Sequence, residues 1–570
     1  MDPAERLDKL ERALLSGAID RQQFLDGAAE TGLLTPSAAE DLSSDLEAIR
    51  AAQTDAKKRL QSDYDYIVVG TGSAGCALVG SLATARPDAS ILVLEAGGWD
   101  LDPAVRDPRL WFTNLGTSRE WGDVSLGSDG VNGRAIPEHT GRLVGGGSSI
   151  NATIWARPFK ADLDHWAEVS GDERWSYDHC LEIFKRIENW QGTPDPRTRG
   201  TSGPVWVQPS ADSLPLVEAT LRAIKEAGLP VVDDLNGERE VTGNGFALMN
   251  QIIKDGRRHS MARAFLYPAL AQSNVTLLTD THANRVVITD GRATAVECVS
   301  DGTVRTYRAR SEIVLSTGAF NTPKLLMLSG IGDETALREL GIDVVVHAPE
   351  VGKNVQDHIL HGGCLYEAPE PFEYRNSAAN VSGYLKTDPA SELPDVSLVQ
   401  IEIPYASDVV AQRYAPPPTT WALCAGLVAP KSRGTVTLRS SDPADRPIVD
   451  MQFLSHPEDV EALKRSIRIA RDVARSGPLS DFVVREVAPG REMSDEELTT
   501  FVRDGATTYF HAAGACRMGS DDHAVVDAEL RVRGVSGLRI ADSTIMPRIV
   551  AVPTMSACVL IGIRLADLLG

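Results

Sequence analysis

Residues 64–95 read YDYIVVGTGSAGCALVGSLATARPDASILVLE, and their order decides the fold. Tyr66-Ile67-Val68-Val69 is a short apolar run suited to a buried parallel strand, and it leads straight into the turn Gly70-Thr71-Gly72-Ser73-Ala74-Gly75. A small-residue stretch with helical character follows, then a second apolar run, Ile91-Leu92-Val93-Leu94, which ends on Glu95. In a strand-turn-helix-strand unit of this kind the first glycine permits the tight turn and the second lets backbone approach a pyrophosphate. The third brings helix against strand, and the helix N-terminus faces the phosphate charge. Glu95 stands where a carboxylate can accept both hydroxyls of a ribose, each bond worth on the order of 1.5–3 kcal/mol. The combination predicts a dinucleotide site; these residues alone do not choose between NAD and FAD.

Upstream, the pattern is helical. Leu7, Leu10 and Leu14 recur at helical spacing up to Gly17; Asp20 with Gln23 can cap a second helix carrying Phe24, Leu25 and Ala28. Thr35-Pro36 opens a third through Leu42, Leu46 and Ile49. Residues 1–62 are therefore expected to form a helical arm, packed on the main body or on another subunit.

Several function classes are excluded by composition. A chain of 570 residues with 42% apolar and 24% charged residues is globular and long enough for two or three domains. The net charge of −22 opposes binding to nucleic acid or anionic lipid. The seven cysteines are scattered, none at metal-ligand spacing, so no metal site is expected. No apolar run reaches the length of a membrane span, and the first fifty residues lack a signal-peptide core, which predicts a cytoplasmic protein.

Downstream, Gly141–Asn151 reads GRLVGGGSSIN, a loop whose glycines let backbone lie against a flat ring or a pyrophosphate. At this point the chain resembles the glucose-methanol-choline (GMC) family of FAD oxidoreductases. Further matches are WAR at 155–157, DLDHW at 162–166, GRRHSMARAFL at 256–266, GAFNTPKLLMLSGIG at 318–332, VGKNVQDH at 351–358, SRG at 432–434 and LRIADSTIMP at 538–547. The resemblance spans about residues 64–570 and leaves only the arm outside. It implies a mixed α/β protein: a Rossmann-like FAD domain drawn from residues 63–160, 241–360 and 505–570, and a substrate domain with an antiparallel sheet from 161–240 and 361–504.

Carried over by position, the resemblance places Gly70, Gly72, Ser73, Ala74, Gly75, Glu95 and Ala96 on the adenosine and pyrophosphate half of FAD. Gly146, Gly147, Ser148, Asn151 and Ala152 fall along the flavin, Val287 near the adenine, Asp542 on the ribityl or pyrophosphate side, and Thr554 beside the cofactor. Ile150 occupies the position at which some members carry a histidine bonded to the flavin, so the FAD is expected to be non-covalent.

Hydride transfer from a carbinol carbon to flavin N5 needs a base for the hydroxyl proton, and an imidazole suits this near neutral pH. His511 stands in YFHAAGACRMG at 509–519, which resembles the family's catalytic-histidine segment. Among the other histidines, His358 reads as a hydrogen-bonded loop residue, and His139, His259, His282 and His523 carry no ligand spacing. The family's second active-site residue, a histidine or asparagine, falls at Pro553, whose side chain neither donates nor accepts. Thr554 and Tyr509 are the candidates to replace it, with Tyr509 equally readable as a plain wall of the pocket.

The expectation is an FAD-dependent oxidation of a primary alcohol, with oxygen or another electron acceptor closing the cycle. The alternatives are a lyase or photodecarboxylase of the same family, and a flavin-binding interaction module. Partners expected are a small alcohol and an electron acceptor, with a homo-oligomer formed through the arm as a further possibility. The sequence names neither substrate nor acceptor.

Overall fold

The computed structural model describes residues 3–58, 60–237, 239–373 and 375–570. The arm consists of three helices, α1 (Pro3–Ser16), α2 (Arg21–Thr31) and α3 (Pro36–Lys58). Asp20 and Gln23 close the expected capping box on α2, and Leu7, Leu14, Phe24, Ala28 and Leu46 form a small core of their own. The arm is docked on its own chain. Glu11, fully buried, meets Arg106, Arg257 and Arg263, and Gln53 bonds to the backbone of Leu270, Val275 and Leu277. Of the two placements expected for the arm, the structure shows packing on the main body.

The βαβ unit follows as β1 (Asp63–Val69), α4 (Ser73–Ala85) and β2 (Ile91–Leu94). Their apolar residues are buried on both faces, which is why these strands read as continuous apolar runs rather than alternating ones. They sit inside a seven-stranded sheet in the order Val275–Leu278, β2, β1, Thr303–Leu315, Arg292–Ser300, Thr281–Thr289, with Leu538–Ile540 paired to Thr303–Leu315. The last helix, Met555–Leu569, lies against α4 so closely that a Cβ on Gly562 would stand 2.2 Å from the Ala74 carbonyl oxygen.

Over this domain lies an eight-stranded antiparallel sheet, the substrate-side sheet implied by the resemblance. Its membership moves three of the expected boundaries. Gly245–Leu248, Ile359–His361 and Ala506–Thr508 are strands of this sheet, although 241–360 and 505–570 were assigned to the FAD domain. The reason is physical: three- and four-residue strands carry too little alternation to reveal their partner, and pairing across more than a hundred residues is decided by tertiary contact. A smaller four-stranded sheet includes β3 (Asp123–Ser125) and β4 (Ile136–Glu138). No described helix is long and apolar enough to cross a membrane, and the described residues hold no cluster fit for a metal ion.

Candidate active site

The turn after β1 behaves as its glycines require. Gly70 has φ +98°, and a Cβ there would stand 2.3 Å from the Ser316 carbonyl oxygen. A Cβ on Gly75 would lie 2.2 Å from the Gly70 oxygen, which locks helix against strand. At Gly72, the N-cap of α4, the nearest atom to such a Cβ is 3.9 Å away, so this face is bare and opens into a long cavity. Ser73 and Ala74, in the first turn of α4, line the same cavity.

Glu95 lines it at the end of β2, beside Ala96. Its carboxylate accepts from the Thr71 amide at 2.9 Å, the Thr71 hydroxyl at 2.6 Å and the Gly97 amide at 2.8 Å. Burial pushes its pKa up, and these three bonds oppose the rise. Thr71 is thus a site residue the motif reading passed over. It occupies a variable place in the glycine pattern, and only its contact with Glu95 reveals the role.

The second glycine loop stacks on the first: a Cβ on Gly146 would stand 2.8 Å from Gly72 Cα. Gly147 has no atom within 4 Å of such a Cβ, and Gly146, Gly147, Ser148, Ile150, Asn151 and Ala152 all line the cavity. The Ser148 hydroxyl donates to the Gly145 carbonyl at 2.7 Å, and Asn151 accepts from Arg258 at 2.8 Å, so both hold the loop's shape. Asp542 accepts from the Gly318 amide, the Thr322 hydroxyl, and the amide and hydroxyl of Thr544. Val287 is a correction: it is absent from the wall, and Thr281, His282 and Ala283 on the same strand stand there instead. Strand periodicity fixes which face a residue is on, whereas its distance along the strand depends on where β2 ends.

At the other end stands His511, with Tyr509, Phe510, Pro553 and Thr554. The chain reaches it through strained backbone, Phe510 adopting φ +67°. Asp357 holds this bend by accepting from the His511 amide at 2.9 Å and the Thr508 hydroxyl at 2.5 Å, while the Thr508 oxygen accepts from the Phe510 amide at 2.8 Å. The Tyr509 ring stacks on the His511 imidazole, centroids 4.6 Å apart. Tyr509 is therefore a wall of the site in contact with His511.

His511 Nδ1 lies 3.0 Å from His358 Nδ1. One of the two nitrogens must donate and the other accept. His358 Nε2 is buried with no hydrogen-bond partner, so the surroundings of His358 do not by themselves choose which ring donates. When His511 is the donor its proton sits on Nδ1 and its Nε2 is an acceptor. Burial drives the His358 pKa down to about 3, and burial with the neighbouring His358 holds His511 well below the usual histidine value. Both rings are neutral at pH 7. His358, read from sequence as a loop residue, is thus the partner of His511; its signal was the QDH segment, whose sequence says nothing of what it faces.

Other wall residues are apolar or aromatic, among them Trp111, Leu360, Val399 and Ile401. Glu138 and His139 also line the cavity. Burial, with the Asp357 and Asp123 carboxylates close by, pushes the Glu138 pKa well up.

Amides at a helix N-terminus, a carboxylate placed to accept from a ribose, bare glycine walls and a neutral imidazole backed by a second one, in one continuous cavity, suit FAD and a small reductant. They define a flavin-dependent oxidoreductase site. GMC oxidoreductase family models match residues 64–360 and 430–562, and the chain belongs to that family. It is 36% identical over 532 residues to the oxygen-dependent choline dehydrogenase of Sinorhizobium fredii, covering 88% of this chain and 95% of that protein. The enzyme of the same name from Brucella suis is 34% identical over 535 residues, with 89% and 95% covered. Among solved structures, pyridoxine 4-oxidase from Mesorbium loti superposes with a TM-score of 0.84 at 32% identity, covering 89% of this chain and 99% of that one. The chain is an FAD-dependent oxidoreductase acting on CH–OH donors; these relatives lend no support to the lyase alternative.

Proposed function

We propose that the enzyme oxidises an uncharged primary alcohol on an aromatic ring to the aldehyde, with His511 Nε2 as the base that takes the hydroxyl proton. The observation that carries this reading is the Nδ1-to-Nδ1 contact of His511 with His358, which with His511 as donor leaves a neutral acceptor nitrogen beside apolar and aromatic wall residues. FAD, when bound, supplies the hydride acceptor. His511 generates the alkoxide, the better hydride donor; His358 fixes the tautomer and shares the charge that the new imidazolium carries. Tyr509 stacks on the base and Pro553 closes the wall, so the paired hydrogen bond of a second histidine or asparagine is replaced by packing and by His358 from behind.

Gly70, Gly72, Ser73, Ala74, Gly75, Glu95 and Ala96 would hold the adenosine and pyrophosphate half. Gly146, Gly147, Ser148, Asn151, Ala152, Asp542 and Thr554 would hold the rest, with Ala283 in the role first given to Val287. Ile150, an aliphatic side chain in the wall, supports a non-covalent cofactor. The name of the choline dehydrogenase relatives supports oxygen as the acceptor. Their substrate is a cation, whereas of the carboxyl groups in this wall Glu95 and Asp542 are each engaged by several donors and Glu138 is buried with its pKa pushed well up, which speaks for an uncharged substrate. Pyridoxine, in the name of the structural relative, carries its CH2OH on an aromatic ring. A cytoplasmic location is supported by seven free cysteines, six of them buried.

The test is anaerobic mixing of the flavin-loaded enzyme with benzyl alcohol, pyridoxine and choline, followed by air. Bleaching near 450 nm by the ring alcohols and not by choline, reversed by oxygen, is expected. Bleaching by choline alone would defeat the substrate class, and no bleaching by any alcohol would defeat the reaction.

A further inference from the structure

The arm, which precedes the family match that begins at residue 64, borders a second cavity against the body. The wall includes Arg12 of α1, Arg50 and Lys57 of α3, and Trp99, Asp102 and Arg119 of the body, and the space is about 490 Å³. That size falls in the range of small-molecule sites, roughly 300–1,000 Å³. None of its lining residues belongs to the cavity of His511.

Four cations and one carboxylate make this wall positive, in a chain whose net charge is −22. The carboxylate is already engaged: Asp102 lies 2.6 Å from Arg119 and 3.5 Å from Arg12. On α3, Arg50 donates to the Leu14 carbonyl at 3.1 Å and stands 3.8 Å from Glu47, too far for a strong pair, while Lys57 projects from the exposed last turn. Elsewhere the arm's contact with the body pairs its charges, the buried Glu11 meeting Arg106, Arg257 and Arg263. Here the same interface leaves an open space with like charges facing it, an arrangement that costs Coulomb energy until an anion enters. Trp99 adds an indole to the wall and packs on Tyr267 with centroids 6.1 Å apart.

We propose that this cavity binds a small organic anion in which a phosphate or carboxylate is attached to an aromatic ring. Arg50 and Lys57 take the anionic group, since guanidinium and ammonium donors are the residues that bind such oxyanions, and Trp99 takes the ring. The site belongs to the arm and the body together, so it exists only in the docked full-length chain.

Calorimetry on the flavin-loaded enzyme with phenyl phosphate, benzoate, phenol and inorganic phosphate tests it. One phenyl phosphate or benzoate per chain is expected, weakened by salt, with phenol and inorganic phosphate at least about ten-fold weaker; the ratio of the first two tells which oxyanion is preferred. Arg50→Gln and Lys57→Gln are each expected to cost about ten-fold, the loss of one charge-assisted hydrogen bond. Because Arg50 also holds Leu14, Lys57→Gln at the exposed end of α3 is the variant that leaves the arm's packing intact. Absence of saturable binding by both ring anions, or affinity unchanged in both variants, overturns the proposal.

Discussion

The two ends of the long cavity are built in opposite ways. At the Glu95 end, backbone does the work: glycines without side chains, amides of one helix N-terminus, and a single carboxylate, all within residues 70–97. At the His511 end, side chains do it, and they come from segments as far apart as Trp111, Asp357–Leu360, Val399, Tyr509–His511 and Pro553. The first end leaves no room for an added atom at Gly70 or Gly75 but barely depends on which side chains surround it. The second depends on the identity and tautomer of individual rings. Binding and turnover should accordingly fail separately.

The largest effect is expected from Gly75→Val. A Cβ already falls 2.2 Å from the Gly70 oxygen, so the turn must open and the purified protein should come out colourless, read as the absorbance ratio at 450 and 280 nm. A yellow, active variant would break the backbone half of the comparison. His511→Ala should do the reverse, keeping the flavin while kcat/KM drops by about a hundred to ten-thousand-fold, the usual worth of a general base. Loss of the flavin together with the activity would mean the two ends are not separable.

His358→Leu sharpens the side-chain half. Removing the acceptor for His511 Nδ1 should cost roughly ten to a hundred-fold in kcat, the scale of a lost orienting partner, and should displace the acid limb of the pH profile. His358→Gln, which keeps an acceptor, should recover most of both. A uniform loss with an unshifted profile would make His358 merely structural. Glu95→Gln should weaken FAD binding by about ten-fold in a titration of the apoprotein, with kcat unchanged once saturated.

The smallest effect is a displacement along the pH axis. His511 acts as a base only when unprotonated, and burial lowers its pKa, so activity should persist as pH falls past 6.5, the ordinary histidine value, and be lost further into acid. The same burial has a stability sign. The unfolded chain binds more protons than the folded one below pH 6.5, so His358, with a pKa of about 3, removes stability as the pH falls through that interval. An acid limb at or above 6.5 would show the imidazole to be exposed to water.

The nucleotide-binding unit and the three arm helices were legible because their signals are local. Gly70, Gly72, Gly75 and Glu95 lie within one supersecondary motif, and Asp20 with Gln23 are neighbours on one helical turn. His511 was legible by resemblance to a segment, and Pro553, counted onto the wall from Pro547, does line it with Thr554. Thr71, Asp357, His358 and Ala283 were not, and neither was the sheet to which Gly245–Leu248 and Ala506–Thr508 belong.

What the chain's own order of residues determined is the family and the cofactor class, since each rests on motifs that are contiguous in the chain. The tertiary structure alone decided that His358 stands behind His511, that Thr281, His282 and Ala283 line the long cavity and that the arm borders a cationic cavity on the body. Those facts depend on contacts between segments tens to hundreds of residues apart, and closing such contacts is a collective outcome of packing that no local pattern records.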